Sequence, residues 1–176
     1  NIDGILLPDI SGCLPLKGYW CLIDRKFFLD IRNNKIFCKA FDGKIKITND
    51  FEMRIQSVLY KNARETIGLI KKTGSICFGY EKVYSKMLNN KIYKVIVAID
   101  ASKKIREKME ILALKKGIKV LRILYKVEIE KLIELYNCVY MGFEKDDKLS
   151  NKLISYLYLL KSLRKDNILL EAEQAL

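Results

Sequence analysis

Histidine does not occur anywhere in this 176-residue sequence. Its absence removes the usual general base, the commonest metal ligand and every Ser-His or Cys-His nucleophile arrangement. Cysteine is sparse and scattered: Cys13, Cys21, Cys38, Cys77 and Cys138 form no C-x-x-C pair and are odd in number. Neither a zinc knuckle nor a disulfide framework is therefore expected, and the thiols read as reduced and cytosolic. No uncharged apolar run approaches the roughly 18 to 20 residues needed to cross a bilayer, and no secretory leader is visible. The expectation is a cytoplasmic protein with no membrane partner. Gly74 and Gly79 have the separation of a phosphate-binding loop, but the following Tyr80-Glu81 supplies neither the phosphate lysine nor the magnesium hydroxyl. Catalysis, a metal and a cofactor are all unexpected.

Positive charge is what the sequence has in excess. There are 33 Lys and Arg against 21 Asp and Glu, a formal net charge of +12, which favours polyanions, nucleic acid before an anionic membrane. Residues 1–60 hold nine basic and seven acidic side chains, whereas 61–176 hold 24 and 14; the later part is the expected polyanion binder. Abundant Lys, Ile and Asn with only two Pro also mark AT-rich coding, which raises lysine content independently of function. At 50% hydrophobic residues the chain can build an ordinary core.

The first 50 or so residues are rich in turn chemistry, with short strands expected at Tyr19–Ile23 and Ile45–Ile47. Asn49 or Asp50 caps a helix whose apolar residues keep helical spacing from Phe51 to Lys72, before Thr73-Gly74. Beyond Gly74 helix and strand alternate: helix 82–88, strand 94–98, helix 102–116 stopped by Gly117, strand 119–124, helix 127–135, strand 138–141 and helix 148–163. This rhythm predicts an α/β protein, a three-layer α/β/α sandwich with a mixed sheet. Val95-Ile96-Val97-Ala98 is apolar on both faces, as a central strand must be. The expected division is 1–60, 61–164 and a tail at 165–176. The opening on Asn1 suggests a trimmed amino terminus.

Two stretches resemble known families. Pro8-Asp9, Gly12, Leu14-Pro15, Lys17-Gly18-Tyr19-Trp20 and Lys39-Ala40-Phe41 resemble the YlxR family of small bacterial nucleic-acid-binding proteins. The family's Gly-Arg-Gly-Ala turn reads Leu16-Lys17-Gly18-Tyr19 here, and its amino-terminal stretch is missing. The resemblance implies a small α+β domain in which Gly18 lets the backbone approach a phosphate while Lys17, Lys35 and Lys39 supply charge. Ile67-Gly68-Leu69, Lys72-Thr73-Gly74, Gly79-Tyr80-Glu81-Lys82-Val83, the run Val97 to Ser102 and Lys116-Gly117-Ile118 resemble the kink-turn-binding ribosomal superfamily, with bacterial YlxQ the nearest flavour. That resemblance implies RNA held by the turn and helix start after Gly79 and by a second loop carrying Lys126.

The superfamily's Asn-Glu pair, which reads sheared guanine-adenine pairs, falls on Glu81 and Lys82, and its later lysine on Ser85, with Lys86 next to it. Because a carboxylate accepts but cannot donate, the expectation becomes structured RNA of unspecified identity, with Tyr80 stacking on a base and Lys82, Lys86 and Lys126 on phosphates. A ribosomal or transcription-complex protein is the further partner implied. The competing reading is an interaction module of the same fold docking on an acidic protein. Alternatively, Tyr80 is a packing contact, the basic run Lys103 to Lys116 a solvated helix face, Asp100 or Ser102 a helix cap, and Tyr156 to Leu160 core.

Overall fold

The computed structural model describes residues 5–10, 12–15, 18, 20, 21 and 47–164. The chain forms two compact units, Asn1–Lys61 together with Leu159–Leu176, and Asn62–Tyr158. In the first, the carboxylate of Asp9 accepts from the backbone N–H groups of Cys13 (3.0 Å) and Leu14 (2.8 Å). This closes a turn in which Gly12 has φ +66°. Trp20 is 88% exposed and Gly18 stands in open space; Lys17, Lys35 and Lys39 lie outside the described residues.

Helix α1 (Phe51–Lys72) begins with Glu52 in its first turn and ends with Lys71 and Lys72, charges that suit its dipole. Its stop is built from Thr73-Gly74: with Gly74 at φ +68°, the Ser75 N–H folds back onto the Ile70 carbonyl. Within the second unit α1 buries Ala63, Thr66, Ile67 and Ile70, the i, i+3, i+4, i+7 stripe that helical spacing demands.

After α1 the chain runs β1 (Ile76–Phe78), α2 (Tyr80–Leu88), β2 (Lys94–Val97), α3 (Lys103–Lys116), β3 (Lys119–Leu121), α4 (Lys126–Ile133), β4 (Tyr140–Phe143) and α5 (Lys148–Ser162), all in the second unit save the end of α5 from Leu159 on. The sheet has the order β1-β4-β2-β3. β4 is antiparallel to both neighbours, with Cys77 and Val95 flanking Gly142, and β2 is parallel to β3. Every residue of β4 is buried, and so are Val95, Ile96 and Val97. Since alternate residues of a strand face opposite ways, burial of both sets requires cover on both faces. α2 covers one face, where Val83 reaches Gly142 and Tyr80 meets the ring of Tyr140 edge-on at 5.7 Å. Met141 and Phe143 are fully buried on the other. The arrangement is the expected α/β/α sandwich. α1 and α4 are tied together by Arg64, which donates to the Lys131 carbonyl (2.9 Å) and pairs with Glu134 (3.0 Å).

Several boundaries differ from expectation for local reasons. β1 is too short at three residues to show any period. β4 lies two residues later than expected and contains Gly142, a residue that normally weakens strand propensity. α4 stops at Ile133 because Glu134 adopts φ +58° without a glycine to announce it. Asp100 caps, but not the helix that follows it: its carboxylate accepts from the Lys126 N–H at 2.7 Å, at the start of α4. Glu128 completes that end by accepting from the Tyr125 N–H at 2.8 Å.

Tyr140 carries a buried hydroxyl without a hydrogen-bond partner among the described residues. An unsatisfied buried polar group costs about 1–3 kcal/mol, so Tyr140→Phe is expected to stabilise the fold by about 1 kcal/mol. The melting temperature should then rise by a few degrees. A lowered melting temperature would instead mean that the hydroxyl finds a partner in solution.

Candidate nucleic-acid interface

Strand directions bring one set of chain segments together. β1, β2 and β3 all end where β4 begins, because β4 is antiparallel to β1 and β2 while β3 is parallel to β2. Gly79, the loop 98–102, the loop 122–125 and the approach to Tyr140 therefore meet at one end of the sheet. The Gly79 N–H donates to the Tyr140 carbonyl (3.0 Å), Ala98 N–H to Val139 (2.9 Å) and Ile99 N–H to Leu124 (2.8 Å). Arg122 donates from its guanidinium to the Ile99 carbonyl at 3.0 Å. Backbone hydrogen bonds thus hold the loops to one another.

Gly79 turns the chain from β1 into α2 at φ +85°, ψ 156°, a region open essentially to glycine alone. A methyl there would meet no atom within 4 Å, so the requirement is of backbone conformation and not of space. Among the described residues no side chain caps α2 or α3, so no side-chain oxygen takes up their first N–H groups.

Three helices start at this end, and each carries lysine in its first turn: Lys82 in α2, Lys103 and Lys104 in α3, and Lys126 in α4. The helix dipole disfavours a cation at an amino terminus by about 0.3–1 kcal/mol. Four lysines in that position, with Arg122 alongside, give a basic surface, and at the starts of α2 and α3 the helix dipoles also attract an anion, whereas the start of α4 is already capped by Asp100 and Glu128. Lys82, Lys103 and Lys104 are exposed. Lys126 is partly engaged, donating to the Asn137 carboxamide oxygen at 3.0 Å and lying 3.8 Å from Glu130. Glu81 and Asp100 add two exposed carboxylates, and that of Asp100 is already bound to the Lys126 N–H.

The aromatic component is Tyr80, half-buried, stacked on Tyr84 at 5.3 Å with an interplanar angle of 24°. Burial raises the hydroxyl pKa of Tyr80 and of Tyr140 above the ordinary tyrosine range, so both are neutral at physiological pH. Tyr136, 94% exposed in the loop leading into β4, belongs to the same end; the sequence offered only an isolated tyrosine between Leu135 and Asn137, with no pattern to single it out.

Ser85 is exposed further along α2. Lys86 is directed elsewhere. Its ammonium donates to Glu144, which follows the last residue of β4 and so lies at the opposite end of the sheet. That hydrogen bond raises the Lys86 pKa. A second pair there, Lys94 with Asp146 at 2.5 Å, holds the Asp146 carboxyl below its usual range. The structure therefore gathers Gly79, Tyr80, Glu81, Lys82 and Lys126 at one end and places Lys86 at the other.

Among the described residues no group of His, Cys, Asp or Glu is arranged to hold a metal, and no helix is long and apolar enough to cross a membrane. Cys77 and Cys138 are buried, which raises their thiol pKa values; neither is disulfide-bonded.

The model of the ribosomal protein L7Ae/L30e/S12e/Gadd45 family matches residues 61–154. No curated protein matches the chain. Similar solved structures include a protein of unknown function from Bacillus halodurans, at 20% identity and TM-score 0.47, covering 54% of this chain and 95% of that one. A Giardia lamblia 15.5 kD RNA-binding protein is similar at 18% identity and TM-score 0.44, covering 62% of this chain and 90% of that one.

Proposed function

The chain belongs to the ribosomal protein L7Ae/L30e/S12e/Gadd45 family through residues 61–154, and from that premise we propose that it is a non-catalytic, cytoplasmic RNA-binding protein of the translation or transcription machinery. The observation that carries the reading is the convergence of three helix amino termini, each bearing lysine, on one end of the sheet. Lys82, Lys103, Lys104, Lys126 and Arg122 hold phosphates; Tyr80 offers a ring to an unstacked base. Glu81 and Lys82 stand where the kink-turn reader has Asn and Glu, so base-edge contacts are limited to acceptance by Glu81. The target is RNA with exposed, distorted backbone, and kink-turn geometry is not required. The YlxR-like segment would add a second contact through Lys17, Gly18, Lys35 and Lys39, supported by its sequence resemblance alone.

Titration of a bulged RNA hairpin by fluorescence anisotropy at several salt concentrations tests this. With about five cations engaged, the logarithm of affinity should fall with the logarithm of salt at a slope of about −4. Affinity no greater for the bulged hairpin than for a plain duplex, with a slope matched by an unrelated protein of equal charge, would defeat the reading.

A further inference from the structure

An open groove of about 560 Å³ runs from the site between α2 and α3, lined by Tyr80, Glu81, Tyr84, Lys108, Ile111, Leu112 and Lys115. We infer that this groove is a slot for one unpaired RNA nucleotide, its base against the tyrosine pair and its flanking phosphates on Lys108 and Lys115. The inference rests on the RNA-binding reading and extends it from Tyr80 and Glu81 at the sheet end along the groove to Tyr84, Lys108 and Lys115.

Five observations meet in the groove. Tyr80 and Tyr84, one helical turn apart, are already stacked, and both line it. A planar base continues such a stack with little loss of conformational freedom, whatever its identity. The opposite wall is apolar, with Ile111 56% exposed although it faces a concavity, which suits the second face of a base. Lys108 and Lys115 are exposed and form no ion pair with any described residue. Seven positions apart on one helix, they stand about 10 Å from each other along its axis, bracketing the slot. Glu81 supplies an acceptor for a base amino or imino group at the rim. The groove also begins at Tyr80, so a strand held at the sheet end leads directly into it. A groove with two lysines in no ion pair among the described residues and with stacked tyrosines is complementary to a nucleotide; an acidic peptide would use the charges but leave the aromatic faces unexplained.

The test compares a hairpin carrying a single bulged uridine with the same hairpin lacking the bulge, using the full chain. Wild type should bind the bulged form more tightly. K108E/K115E should lose about tenfold or more for the bulged hairpin and much less for the unbulged one, leaving the sheet-end contacts intact. Tyr84→Leu, which keeps apolar bulk but not the ring, should lose about tenfold, as removal of one base stack does, while Tyr84→Phe should retain affinity. Equal losses for both hairpins would reduce the groove to generic phosphate attraction and overturn the slot. Unchanged affinity in all three variants would overturn it while leaving the sheet-end interface standing, and loss of a co-purifying acidic protein in K108E/K115E with RNA binding intact would assign the groove to a polypeptide. Absence of binding to either hairpin by wild type would remove the RNA reading itself.

Discussion

K82E/K126E lowers affinity for the bulged hairpin about 100-fold at about 100 mM salt and flattens the salt dependence by about two units of slope. Each charge-assisted contact contributes about 1.5–3 kcal/mol, and tenfold in affinity corresponds to about 1.4 kcal/mol. The two lysines start different helices, on either side of the converging loops, so their contributions should be nearly additive. Lys82 has no carboxylate partner among the described residues, and it should account for the larger share. Part of Lys126 is spent on Asn137 and Glu130.

Lys86 provides the internal control. Lys86→Met should leave RNA affinity within twofold while lowering stability by about 1 kcal/mol, because it removes the partner of a half-buried Glu144. The same anisotropy titration and a denaturant melt separate the two outcomes. A large affinity loss in Lys86→Met, with none in K82E/K126E, would place the interface at the other end of the sheet.

Much of this fold could be read from the sequence because its signals are local. α1 has a turn before Phe51, apolar residues at helical spacing and a Thr-Gly stop, and each cue acts within a few residues. The burial of Val95 to Ala98 followed from an apolar run too short for a helix. Elements defined by distant partners were harder. β1 exists because Ile76, Cys77 and Phe78 pair with Phe143, Gly142 and Met141, and nothing near residue 76 announces that pairing. The site divides in the same way. Family resemblance drew attention to Gly79–Lys82, but the gathering of Lys82, Lys103, Lys104 and Lys126 depends on the order β1-β4-β2-β3, which no local pattern encodes. Lys86 shows the converse: it is close to Lys82 in sequence, yet α2 carries it back along the sheet to Glu144.

Gly142→Val is expected to cost about 3 kcal/mol, a substantial part of the roughly 5–15 kcal/mol that holds a domain together. Gly142 sits in the middle of β4 between Cys77 and Val95. A Cβ there would stand 2.9 Å from Ile92 Cδ1, 3.0 Å from Cys77 Sγ and 3.3 Å from Val83 Cγ1. Ile92 and Val83 are themselves buried, at 6% and 0% exposure, so neither can swing into solvent. Even Gly142→Ala should cost about 1–2 kcal/mol by overpacking. Ile92→Val deletes the nearest atom, Cδ1, and alone should cost about 0.5–1.5 kcal/mol as a small cavity. Combined with Gly142→Ala, it should cost less than the sum, with a favourable coupling of about 1 kcal/mol in a double-mutant cycle measured by urea denaturation. Strict additivity would show that Ile92 is not what the methyl meets. Because Val83 belongs to α2, the displaced helix also carries Tyr80 and Lys82 with it. Gly142→Ala should therefore weaken RNA binding several-fold although it lies beneath the surface, and Ile92→Val should restore part of that affinity as well as stability.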